Sequence, residues 1–162
     1  YTTVSMACEL TNDETAGKIL ETLYQKQYFI DRKIKGELTY QYHDLFREFL
    51  LRHLHLRETQ TRLASLRQQA AQILERTGRL SEAVALLQQA QDWANVTRLI
   101  LAHAQAMLRQ GRWQTLNAWF EGVPAQLVDE DPWLTLWRAN ARIPVDVNAA
   151  YQSMQDAYAE FI

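Results

Sequence analysis

The side chains that could do chemistry here are few and scattered. There are four histidines, His43, His53, His55 and His103, one cysteine, Cys8, and a run of three acids, Asp129-Glu130-Asp131. His53 and His55 are two residues apart, so on a helix they point roughly 200° from one another and cannot share a metal ion. Cys8 has no cysteine partner, which excludes an internal disulfide framework and a cysteine-based structural zinc site, and a single thiol fits a reducing compartment. The three acids precede Pro132 and read as a polar loop rather than as a general acid–base pair. No glycine-rich phosphate loop, no His-Glu-x-x-His and no Gly-x-Ser-x-Gly occurs in the chain. We therefore expect no catalytic residues, no metal site and no enzyme activity in these 162 residues. His43 stands apart from the other histidines because Asp44 follows it at the start of a helical pattern. An imidazole placed there can donate to a phosphate, and the helix N-terminus adds a favourable field.

The elements that must position His43 follow from periodicity. The composition, 48% hydrophobic with 5 Gly and 3 Pro, is that of a helical, folded chain. Thr11-Asn12-Asp13-Glu14 reads as a helix start, and Ile19, Leu20, Leu23 and Tyr24 then recur at helical spacing. Tyr28-Phe29-Ile30 and Leu38 to Tyr42 are β-prone runs about the turn residue Gly36, which predicts a hairpin. Helix, hairpin, helix is the ending of a winged-helix unit. Beyond His43-Asp44, Leu45, Phe46, Phe49, Leu50 and Leu54 make an apolar stripe on a helix to about Arg57. A further helix is predicted from about Glu58 to Thr77, with Leu63, Leu66, Ala70, Ile73 and Leu74 inward and Gly78 at its end.

A faint repeat follows. Gly78-Arg79-Leu80 and Gly111-Arg112-Trp113 are 33 residues apart, each a glycine stop before a new helix. The predicted pairs are Ser81 to Gln91 with Trp93 to Gln110, then Thr115 to Gly122 with Trp133 to Arg142. A weaker third unit begins near Pro144, with Asp146 capping a helix through Val147, Tyr151, Met154 and Tyr158. Such a period suits tetratricopeptide-like (TPR-like) solenoids. The fold class is therefore mainly α, with a short β-hairpin wing followed by TPR-like antiparallel helical repeats. Trp93, Trp113, Trp119, Trp133 and Trp137 read chiefly as packing residues. Trp133 and Trp137, four apart, could line a ligand or peptide groove.

Charge narrows the partners. A net charge of −2 argues against a nucleic-acid backbone as ligand. The candidate recognition helix, Asp13 to Gln27, has three acids against two lysines. Between Asp44 and Arg79 there are seven arginines against four acids, and from Arg112 onward three against seven. No apolar run approaches the roughly 20 residues a membrane span needs, and Tyr1 to Thr11 is not a signal peptide. The abrupt start and the uncapped Phe161-Ile162 end read as those of a piece of a longer protein.

Tyr40-Gln41-Tyr42-His43-Asp44-Leu45-Phe46-Arg47-Glu48-Phe49-Leu50 resembles the Tyr-x-Tyr-His-x-Leu-Phe-Arg-x-Phe-Leu signature of MalT-like regulators. These are the large ATP-binding LuxR-type transcription regulators of the STAND class of signalling ATPases. The resemblance continues through Gln69-Ala70-Ala71, Gly78 with Glu82-Ala83-Val84, and Asp92-Trp93-Ala94. It then takes in Leu108-Arg109-Gln110-Gly111-Arg112, Thr115 to Trp119 and Val123-Pro124. It implies residues 1–57 as the end of a winged-helix domain, 58–122 as a helical arm of TPR-like hairpins, and 123–162 as the start of a truncated sensor. It further implies a cytoplasmic protein that binds ADP or ATP in an upstream ATPase module, outside this fragment, and DNA only through a separate domain. The chain's partners would be that module, the downstream sensor and another copy of itself. His43-Asp44 is also similar to the His-Asp pair of NLR-type switches, which implies a nucleotide-sensing role for His43, although Tyr42 replaces the methionine of that pattern. The alternative is a TPR-like interaction scaffold with no nucleotide link.

Overall fold

The computed structural model describes residues 1–35 and 37–145, together with 147, 151 and 155. It is mainly helical, with one small antiparallel sheet, as the sequence predicts. The chain forms two compact units, residues 1–73 and 74–162.

The first unit opens on β1 (Thr2–Thr3) and α1 (Val4–Thr11), neither of which the sequence reading foresaw. Thr3 is buried and caps α1, its hydroxyl accepting from the Met6 amide at 3.2 Å. The expected helix start at Thr11 is corrected: Thr11 ends α1, and α2 runs Ala16–Gln25. Asn12, at φ 52, is the left-handed stop of α1, and the Asp13 carboxylate turns the chain by accepting from the Thr15 amide and hydroxyl, each at 2.7 Å. The hairpin follows as β2 (Ile30–Lys35) and β3 (Glu37–Tyr42), in sheet order β1-β3-β2. Of the first β-prone run only Ile30 is strand. Gln27 and Phe29 both hold positive φ, 57 and 53, which extended pairing forbids. Gly36, the expected turn residue, lies outside the described residues. The core here is small: Leu20, Ile30 and Tyr40 are buried, with Val4, Ala7, Leu23, Tyr24, Leu38 and Tyr42 packed around them.

Helix α3 (Asp44–Arg57) has the predicted bounds, and α4 (Gln60–Arg76) nearly so. The apolar stripe of α3 does not become core. The helix has no buried residue, and Leu45 and Phe49 are 84% and 59% exposed. On α4, Leu63, Ala71 and Ile73 are buried.

The second unit is α5 (Leu80–Gln89), α6 (Trp93–Arg109), α7 (Trp113–Phe120), a short α8 (Ala125–Asp129) and α9 (Pro132–Arg142). Helix α6 packs on α5, α7 and α9, and α7 also packs on α9. Val96, Leu99, Ile100 and Ala104 of α6 are sealed from solvent, as are Leu116 of α7 and Ala83 of α5. Side chains tie the layers: the Gln88 amide donates to the Trp119 carbonyl and Asn117 to the Ala141 carbonyl, both at 2.9 Å. The acidic run is not simply a loop. Asp129 ends α8 and pairs with Arg138 at 2.7 Å, and Asp131 caps α9 by accepting from Trp133 and Leu134 amides, with Pro132 in the first turn. Pro144 lies in a turn, and Val147, Tyr151 and Gln155 are helical; Asp146, Met154 and Tyr158 of the third expected unit lie outside the described residues.

Five helices end on one device. The amides of Asp13, Tyr28, Arg79, Asp92 and Arg112 donate back five residues to the carbonyls of Cys8, Leu23, Leu74, Leu87 and Met107. The residue before each donor is left-handed: Asn12, Gln27, Gly78, Gln91 and Gly111. Gly78 and Gly111, at φ 75 and 71, are the two stops the sequence repeat picked out.

Candidate functional site

His43 is positioned by the hairpin register. Ile30 pairs with Tyr42, so β2 begins where β3 ends. The His43 amide then donates to the Phe29 carbonyl at 2.9 Å, and its own carbonyl accepts the first helical bond of α3 from Arg47 at 2.8 Å. His43 is thus the N-cap residue of α3, but its side chain makes no capping bond. The ring is 56% exposed, and its Nε2 lies 3.5 Å from Oδ1 of Asp31. Phe29 meets it edge-on, with centroids 6.5 Å apart. His43 and Asp31 border a cleft of about 390 Å³ completed by Tyr24, Gln25, Gln27, Phe29 and Ile30.

Asp31 was not singled out in the sequence. Its place beside His43 depends on strand register, which periodicity alone does not give. At 3.5 Å the contact is an ion pair when the imidazole is protonated, and a loose one, since both groups face water. A phosphate entering the cleft would compete with Asp31 for Nε2.

A polar triad joins α2 to β2 and β3. Glu21 accepts from the buried Tyr40 hydroxyl at 2.7 Å and pairs with Arg32 at 2.9 Å. Arg32 also lies over the Tyr24 ring, 4.4 Å from its centroid. The Tyr40 bond, with Arg32 behind it, holds the Glu21 carboxyl below its ordinary range, and burial pushes the Tyr40 phenol up.

The other sequence candidates fall elsewhere. Trp133 and Trp137 stack on each other, with centroids 6.4 Å apart and Trp133 53% exposed. The cleft of about 690 Å³ in the second unit is lined by Asn117, Phe120, Arg138, Arg142 and their neighbours, not by these tryptophans. His53 stacks on Phe49, and His55 Nδ1 contacts the Leu51 carbonyl. The Cys8 thiol reaches the Glu14 carbonyl at 3.7 Å. Among the described residues no group of three His, Cys, Asp or Glu could hold a metal ion, and no helix is long and apolar enough to cross a membrane.

A first strand followed by two helices and a hairpin whose second strand pairs with that first one is a winged-helix arrangement. Residues 1–63 match the family model of the MalT winged helix domain. That stretch contains the whole sheet, α1 to α3 and His43. No curated protein matches the chain, and no solved structure does.

Proposed function

We propose that this chain is a regulatory segment of a nucleotide-switched, MalT-like transcription activator, relaying the state of an ATPase module to a TPR-like effector-sensing domain. The observation that carries the reading is the placement of His43. It lies within the stretch that matches the MalT winged helix domain, at the joint between wing and α3, with its ring open to solvent in a cleft. In this reading the upstream module presents ADP to the cleft. The imidazole exchanges Asp31 for a phosphate oxygen, and the N-terminal field of α3 adds to the attraction. Exchange of ADP for ATP removes that contact and frees the winged helix to move as a body. The bias comes from the difference in affinity of the two states for the two nucleotides.

The test is His43→Ala in the full-length regulator. We expect faster loss of bound ADP and higher basal transcription without inducer. Unchanged ADP retention together with unchanged basal output would defeat the sensor role. A TPR-like scaffold without a nucleotide link is the second reading, favoured by the matching left-handed stops at Gly78 and Gly111 and by the exposed Trp133–Trp137 stack. It predicts no response to ADP in a protein that includes the upstream module.

A further inference from the structure

We propose that the Leu45–Phe49–Leu56 face of α3 is a self-association surface, on which a second copy of this chain docks with its α3 antiparallel. The three side chains fall within about 40° of one another on a helix turning roughly 100° per residue. They are 84%, 59% and 79% exposed. Such a row on a 14-residue helix that buries nothing is a packing stripe without its counterpart. Phe46 stacks on Phe49, and Phe49 on His53, so the row is backed by a line of rings rather than by loose side chains.

Charge selects the occupant. One flank of this face carries, in order, Asp44, Glu48 and Arg52, running from acid to base along the helix. All three are exposed, and none forms an ion pair within the chain among the described residues. An antiparallel copy that sets Leu45 against Leu56 of the partner subunit brings Glu48 beside Arg52 of the partner subunit, and the two-fold axis makes the pair twice. In a parallel pair this flank would instead meet the opposite flank of the partner, at Phe46 and His53, and Glu48 and Arg52 would lose their reciprocal partners. The self-complementarity is therefore specific to one orientation, and it goes beyond the nucleotide relay and does not depend on it.

Sedimentation velocity of the 162-residue chain over a broad concentration series tests this. We expect a reversible dimer that Phe49→Glu abolishes without loss of helical circular dichroism. Glu48→Arg and Arg52→Glu should each weaken it at least tenfold. An equimolar mixture of those two variants should associate again, because each then faces an opposite charge across the axis. Helix destabilisation within one chain would not be repaired by mixing. A wild-type chain that stays monomeric overturns the proposal. So does a dimer that survives Phe49→Glu, or a mixture no tighter than its separate components.

Discussion

Helices α3 and α6 look alike as sequence and differ as structure. Both carry leucines and other apolar residues at helical spacing. Helix α6 buries Val96, Leu99, Ile100, Ala104 and Met107 among three neighbouring helices. Helix α3 buries none. An apolar stripe records that a helix face was meant to be covered; it does not record whether the cover belongs to the same chain. The contrast is sharpest between Leu99, fully buried, and Leu45, 84% exposed. Leu99→Ala should cost about 2–5 kcal/mol of the second unit's stability, whereas Leu45→Ala should stay within about 0.5 kcal/mol in the monomer. Urea unfolding of the two variants measures this, and equal losses would dissolve the distinction between the helices.

The helix stops extend the comparison to the backbone. Gly111 holds φ 71 with nothing near its missing Cβ, so Gly111→Ala adds left-handed strain and no clash. It should destabilise by about 1 kcal/mol. Gln91 holds φ 55 in the same type of stop. Gln91→Gly should therefore stabilise, by a smaller amount, because glycine also gains freedom in the unfolded chain. Thermal melts that move both variants in one direction would show that some other contact at these turns governs.

A third contrast concerns pH. In the first unit the Tyr40 hydroxyl and Arg32 depress the Glu21 carboxyl, and in the second Arg98 depresses Glu75. A carboxyl with a lowered folded pKa contributes stability above its ordinary pKa and loses it as pH falls through the folded value. Both units should weaken on acidification through the carboxylate range. Tyr40→Phe should flatten that dependence in the first unit alone, leaving the Glu75–Arg98 pair untouched. Stability–pH profiles of the wild type and variant that superimpose would remove the Tyr40 bond as the cause.

Much of the helical layout was legible because capping and spacing are local. Gly78 and Gly111 each announced a boundary that the structure keeps, and the start of α3 was legible in His43-Asp44 ahead of its apolar stripe. The misses share a different physics. Asn12, Gln27 and Gln91 take left-handed angles with no glycine to signal them, which moved the start of α2 and shortened the first wing strand. Helix α1 and strand β1 owe their order to the Thr3 cap and to pairing with Thr39 and Tyr40 far along the chain. His43 could be picked out by its position before a helix. Its neighbour Asp31 could not, since their proximity comes from cross-strand register.

All five tryptophans, Trp93, Trp113, Trp119, Trp133 and Trp137, lie in the second unit, while five of the seven tyrosines lie in the first. Among the described residues the buried indole nitrogen of Trp119 has no hydrogen-bonding acceptor. Ultraviolet emission of this protein therefore divides along its own anatomy. Excited at the red edge of its absorption, it glows only from the second unit, and the change in that light times the melting of one unit while the other stays dark.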